Sequence, residues 1–230
     1  MPARTLFTVK QAMVVLALSF SPAFSDETST PTDMVNAQER INFAGKLRML
    51  SQRIPSAACH LSHGIDVSGS EELLIAAKLE FDQILNALEF GDDALNILSA
   101  EQNRRSLTRI AALKALWEPF QEHAVKIVDG TASDADIAYV MDENLGLLAA
   151  AQLLVEALVR QYANPNATTA ASLMLIDISG RQRMLTQKMS KESCLLIEGS
   201  DATELRADLA ETMRIFEASL SALESGLPEV

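Results

Sequence analysis

The sequence predicts an all-α protein, an antiparallel helical bundle of about six helices in which a four-helix bundle is joined by a repeated helical hairpin. Aromatic residues make up only 5% of the 230 residues, and glycine and proline are sparse. Long stretches rich in Ala, Leu, Glu and Gln with apolar residues at helical spacing favour helices over strands. One segment, Ile41 to Leu61, also recurs at Ile176 to Leu196 with a constant offset of 135 residues. This internal repeat sets the expected architecture.

The first 25 residues have the pattern of a signal peptide. Arg4 and Lys10 give a positive start, Ala12 to Phe20 an apolar core, and Ala23-Phe24-Ser25 a small-x-small cleavage site. The apolar run is too short to span a bilayer comfortably, and no cysteine follows the cut to accept a lipid. We therefore expect a soluble, exported, periplasmic protein cleaved after about Ser25.

The charge balance narrows the choice of partners. The net charge is −12, and it becomes more negative once Arg4 and Lys10 leave with the signal peptide. Such an acidic chain is a poor match for nucleic acid or anionic lipid surfaces.

Start and stop signals divide the rest into helices. Capping boxes at Ser68/Glu71, Ser99/Gln102 and Ser133/Asp136 are expected to open helices 2, 3 and 4, and Asp201 with Glu204 is expected to open helix 6. The predicted helices run from about Asp33 to Ser62, Gly69 to Phe90, Ala100 to Val128, Asp134 to Tyr162, Ala167 onward through the second repeat, and Asp201 to Glu224.

The repeat extends beyond one helix, because residues of helix 2 such as Leu74, Phe81 and Leu85 reappear in helix 6 at the same offset. The repeated unit is a helical hairpin. We divide the chain into a signal peptide (1–25), a four-helix bundle with the first signature helix (26–163), and a second signature hairpin (164–230). That hairpin is half a bundle, so it packs either on helix 1 or on another subunit.

Each signature helix has an apolar stripe and a mixed stripe, and the mixed stripe is the better preserved of the two. The apolar stripe has diverged, with Leu47 matched by Gln182 and Ala57 by Glu192. The mixed stripe either carries a shared requirement or reflects simple inheritance from a duplication. Its identical pairs are Ile41 and Ile176, Gly45 and Gly180, Arg48 and Arg183, Met49 and Met184, Gln52 and Gln187, and Cys59 and Cys194.

The arginines are the candidate binding groups. A guanidinium on the inner face of a bundle needs a partner, and a small anion or a protein carboxylate can serve. Gly45 and Gly180 would allow close helix approach or leave room for a ligand. Met49, Met184, Gln52 and Gln187 either line such a pocket or fill the core.

Cys59 and Cys194 are the only cysteines, and they form either a disulfide or two buried thiols. His60 and His63 lie near Cys59, but no second cluster completes a metal site, so we expect no metal. Because the sequence has no nucleophile elbow, zinc-protease motif or phosphate loop, we expect neither enzymatic activity nor a cofactor.

The signatures INFAGKLRMLSQR (41–53) and IDISGRQRMLTQK (176–188) resemble the N-terminal sensor module of type IV pilus methyl-accepting chemotaxis transducers (PilJ-like), which nitrate/nitrite sensor histidine kinases share. The resemblance implies a periplasmic four-helix sensor-type bundle used in signal transduction. It also implies that Arg48 and Arg183, from two facing helices, hold a small inorganic anion. The second copy departs from the pattern, because it has Asp177 where the first has Asn42.

We therefore expect a soluble periplasmic module that binds a small oxyanion, nitrate or nitrite, between the signature helices. The alternative is a structural or adaptor protein that uses the same face for homodimerisation or docking to a membrane receptor. If both arginines meet one ligand on parallel helices, the cysteines, each 11 residues further along, should also meet. We then predict an intramolecular disulfide between Cys59 and Cys194.

Overall fold

The computed structural model describes residues 31–162, 167–198 and 202–225. The predicted signal peptide and the predicted cap at Asp201 lie outside these residues. The described part contains α1 (Pro31–Ser62), α2 (Val67–Phe90), α3 (Arg104–Val128), α4 (Asp134–Tyr162), α5 (Ala167–Glu198) and α6 (Ala202–Ser225), with a 3₁₀ turn at Asp93–Leu95. The prediction of an all-α bundle of about six helices is confirmed.

Helix α1 is the central element, because it packs on α2, α4 and α5, while α3 closes the bundle against α4 and α2. Its apolar stripe lies in the main core with Leu47, Leu50 and Ile54 fully buried. Across this core, the rings of Phe81 and Trp117 stack with centroids 3.9 Å apart. Burial of these large apolar side chains is the main stabilising contribution to the bundle.

The second hairpin packs on α1 within the same chain. Helices α1 and α5 run in the same direction, since Gly45 lies against Gly180 near the middle of both helices and Cys59 bonds Cys194 near their C-terminal ends. Equivalent positions of the repeat thus face each other across a pseudo-twofold axis parallel to the helices. Helix α6 packs on α5.

The predicted start of α4 is confirmed, because Ser133 and Asp136 form the expected reciprocal cap. The Ser133 amide donates to Asp136 Oδ2 at 2.8 Å, and the Asp136 amide donates to Ser133 Oγ at 3.3 Å. Helix α2, however, is capped by Asp66 in the left-handed region, with φ 41°, and not by Ser68.

The predicted start of the third helix is wrong. The helix begins at Arg104, where Asn103 Oδ1 accepts from the Arg105 amide at 2.9 Å. The preceding residues form an ordered loop because Glu101 turns inward to a buried ion pair with Arg40, at 3.3 Å between Nη1 and Oε2. Arg40 also donates to the Leu88 carbonyl at 2.9 Å, which ties the loop to the end of α2. Satisfying a buried guanidinium outweighs a local capping preference.

One described helix, α4, is long and apolar enough by length and composition to cross a membrane. In this structure α4 packs on α1 and α3 and buries Val140, Leu147 and Leu154 in the core. A core helix passes the same test of length and composition.

Candidate functional site: the seam between the signature helices

We call the contact between the two signature helices the α1–α5 seam. It consists of Asn42, Gly45 and Arg48 on α1 and Asp177, Gly180 and Arg183 on α5. The two glycines stand where the helices lie close together. A Cβ built on Gly180 would lie 3.8 Å from Gly45 Cα and 3.0 Å from Arg48 Nη2. A side chain here would press on the guanidinium, so the glycines make the room that Arg48 occupies.

Arg48 is fully buried in the seam and is held by three contacts. Its Nη1 lies 2.7 Å from Asp177 Oδ1 and 2.7 Å from Gln152 Oε1, and its Nη2 donates to the Asp177 carbonyl at 3.1 Å. Burial lowers the pKa of Arg48 from its ordinary value, and the Asp177 carboxylate opposes that shift. Of the partners that the sequence left open, the structure pairs Arg48 with a protein carboxylate.

Arg183 makes the reciprocal contact. Its side chain is exposed, and its Nη2 donates to Asn42 Oδ1 at 2.9 Å. Because positions 42 and 177 are equivalent in the repeat, each signature arginine reaches the same position on the opposite helix. Asn42 offers an amide and Asp177 a carboxylate, so the two halves of the pseudo-symmetric seam differ in charge.

The seam carries more positive than negative groups. Asp177 Oδ2 also lies 3.6 Å from Arg181 Nη2, so the guanidinium groups of Arg48 and Arg181 share one carboxylate while Arg183 points nearby. The Asp177 side chain remains 21% exposed. A small oxyanion could compete for two guanidinium groups that share one partly exposed carboxylate.

The other residues of the mixed stripe divide between packing and polar contacts. Met49 lies in the main core and Met184 packs at its edge, which matches the alternative of methionine as core filler. Gln52 is buried one turn beyond Arg48 and accepts from Lys191 Nζ at 3.0 Å. Gln187 is half-buried on α5.

The two cysteines are brought together at the far end of the seam. Cys59 and Cys194 form a disulfide with a Cα–Cα distance of 6.2 Å, and both are buried. His63 Nδ1 lies 3.8 Å from Cys59 Sγ and 4.0 Å from Cys194 Sγ. Within the described residues, these three form a cysteine–histidine cluster whose two sulfur atoms are bonded to each other.

Lys191 is a buried charged group that the sequence analysis missed. It is only 4% exposed, and its Nζ donates to Gln52 Oε1 at 3.0 Å and to Asn144 Oδ1 at 2.7 Å. Burial lowers its pKa to about 8, and within the described residues no carboxylate lies at ion-pair distance. The sequence indicated this burial only through the position of Lys191 on the mixed stripe, where the first copy has Ser56.

Together, the fold and the seam define an all-helical bundle domain built around a duplicated signature hairpin. The chain belongs to the PilJ family, the type IV pili methyl-accepting chemotaxis transducer N-terminal domains, which it matches over residues 32–142 and 166–230. It is therefore a sensor or transducer-type domain of chemotaxis signalling. Comparison with curated proteins and with solved structures gave no match.

Proposed function

We propose that this chain is a periplasmic sensory module whose α1–α5 seam binds a small oxyanion such as nitrate or nitrite. The observation that carries the proposal is that the guanidinium groups of Arg48 and Arg181 share the Asp177 carboxylate, with Arg183 bonded to Asn42 nearby, beside a glycine–glycine helix crossing. Planar guanidinium groups suit planar oxyanions because they donate two parallel hydrogen bonds.

Asp177 has a defined part in this proposal. Its carboxylate is the internal anion that neutralises Arg48 when no ligand is bound, and a bound oxyanion takes over that role. Because Asp177 is partly exposed, the side chain can turn toward solvent without leaving its charge buried. Ligand binding then changes a contact that joins α1 to α5, and the two helices are the elements through which a signal would pass.

A second candidate function is favoured by a specific observation. Arg48 already has Asp177 and Gln152 as partners, and the disulfide holds α1 against α5. On this view the seam only pairs helices, and the protein is an adaptor that docks to a receptor or to another copy. Removing one partner of a buried ion pair costs about 3–5 kcal/mol, so a purely structural pair would be important for stability.

Asp177→Asn separates the two functions. The change keeps the shape, removes the competing carboxylate and gives the second copy the residue that the first has at Asn42. If the seam binds an oxyanion, the variant is less stable alone but gains more stability than the wild-type protein when nitrate or nitrite is added. A ligand at one hundred times its dissociation constant contributes about 2.7 kcal/mol.

The measurement is thermal unfolding in nitrate, nitrite, sulfate and chloride at constant ionic strength. Glu80→Gln is the matched control, because it removes a partly exposed carboxylate that pairs with Lys46. Lys46 lies on α1, as Arg48 does. That control should respond to each anion as the wild-type protein does. If neither the wild-type protein nor folded Asp177→Asn distinguishes nitrate or nitrite from chloride, the oxyanion proposal fails and the adaptor function stands.

A further inference from the structure

A groove of about 800 Å³ opens between α4 on one side and α5 and α6 on the other, with the end of α1 in its wall. We call it the α4–α6 groove. Its lining includes Asn144 from α4, Lys191 and Glu192 from α5, and Asp208 from α6, and it contains none of the seam arginines. The groove is therefore separate from the seam.

Two buried charges of opposite sign line the inner wall of the groove on consecutive residues. Among the described residues, Lys191 Nζ donates two of its three N–H bonds, to Gln52 and to Asn144. Glu192 is 4% exposed, and its Oε1 pairs with Lys188, whereas its buried Oε2 has no hydrogen-bond partner in the described part of the chain. A buried carboxylate oxygen without a donor is costly, and a ligand that donates to it would remove the cost.

The mouth of the groove selects against simple anions. Exposed carboxylates of Asp134, Asp142, Glu204 and Asp208 line the groove and outnumber its two lysines, Lys188 and Lys191. An inorganic anion approaching Lys191 would pass these like charges, whereas a ligand that also carries a cation would not be repelled. Apolar side chains between the charges, among them Met141, Leu145 and Leu205, provide a surface for a hydrocarbon group.

We propose that the α4–α6 groove binds a small zwitterion of the α-amino-acid type with an apolar side chain. The carboxylate of the ligand accepts the remaining N–H of Lys191, and the ammonium group donates to Glu192 Oε2. The acidic mouth attracts the ammonium group, and Met141 and Leu205 contact the side chain. This site acts independently of the oxyanion proposed for the seam.

The test is calorimetric and thermal-shift titration of the full chain with the standard amino acids at millimolar concentration. We expect apolar amino acids to raise the unfolding temperature. For the best of them, the matching amine without the carboxylate and the matching acid without the amine should each bind at least about tenfold more weakly, or about 1.4 kcal/mol.

Lys191→Met and Glu192→Gln should each weaken binding by a similar factor, while Asp177→Asn, which lies in the seam, should leave it unchanged. Glu192→Gln keeps the size of the side chain, so it tests the charge even if Lys191→Met alters folding. The proposal is overturned if no amino acid shifts unfolding or releases heat. It is also overturned if the amine binds as tightly as the amino acid, because the groove is then a site for organic cations.

Discussion

The buried charge of Lys191 makes a quantitative prediction about stability and pH. Burial lowers its pKa from 10.5 to about 8, so the folded protein releases this proton at a pH where the unfolded chain still holds it. Across that window the unfolded state binds more protons, and the free energy of unfolding rises with pH. With about 1.4 kcal/mol for each pKa unit, the full rise is about 3 kcal/mol. Below about pH 8 the folded protein is destabilised by the full free energy of burying the charged ammonium group.

Lys191→Met removes this titration. The variant loses the charge but leaves Gln52 Oε1 and Asn144 Oδ1 without their donor, at about 1–3 kcal/mol for an unsatisfied buried group. Its stability at neutral pH should therefore be near that of the wild-type protein. The diagnostic quantity is the difference between the two proteins, which should move by about 3 kcal/mol in favour of the wild-type protein between about pH 8 and 10.5.

Urea unfolding followed by circular dichroism at a series of pH values measures this difference. Lys78→Met is the control, because it removes a partly exposed lysine that pairs with Asp82 on α2. A difference between wild type and Lys191→Met that stays constant with pH would refute the assignment of a buried, destabilised ammonium group. So would an equal movement in the control.

Two further predictions concern the seam. Gly180→Ala should destabilise the protein by about 1–3 kcal/mol, because the new Cβ would meet Arg48 Nη2 at 3.0 Å. The control Gly146→Ala, on the exposed face of α4, should stabilise the protein by up to about 1 kcal/mol. Equal effects of the two variants in urea unfolding would contradict the close crossing of α1 and α5. Replacing Cys59 and Cys194 together by serine should remove about 5 kcal/mol in the chain-entropy model, given a separation of 135 residues. Unchanged stability, or two free thiols in the mass of the unreduced wild-type protein, would argue against the bond within one chain.

The pairing of α1 with α5 could be predicted because both helices carry the same pattern on the same stripe. When the two copies of a repeat pack against each other, equivalent residues come into contact. The hypothesis that Arg48 and Arg183 meet one ligand therefore also predicted that the helices run in the same direction and that Cys59 approaches Cys194. Local capping was predicted less well. The cap at Ser133 and Asp136 depends only on neighbours in sequence, whereas Glu101 is drawn away from a helix start by Arg40, 61 residues distant.

The partners of buried charges were beyond sequence reasoning for the same reason. Arg48 finds Asp177 and Gln152 on two other helices, and no local pattern distinguishes these from the other acids and amides of the chain. Lys191 was overlooked because its counterpart, Ser56, carries no charge. The identical positions of the repeat do not reveal Lys191, because only the second copy has a charged residue at this position.

The difference between Asn42 and Asp177 shows what an internal duplication permits. Two identical chains related by a true twofold axis would have the same residue at both positions, so both arginines would meet amides or both would meet carboxylates. Within one chain the copies can diverge, and here the burial of each arginine follows the charge of its partner. Arg48, which meets the carboxylate, is fully buried, while Arg183, which meets the amide, is exposed. A guanidinium loses most of its hydration on burial and needs a compensating charge, so the single carboxylate of Asp177 decides which arginine the core can enclose.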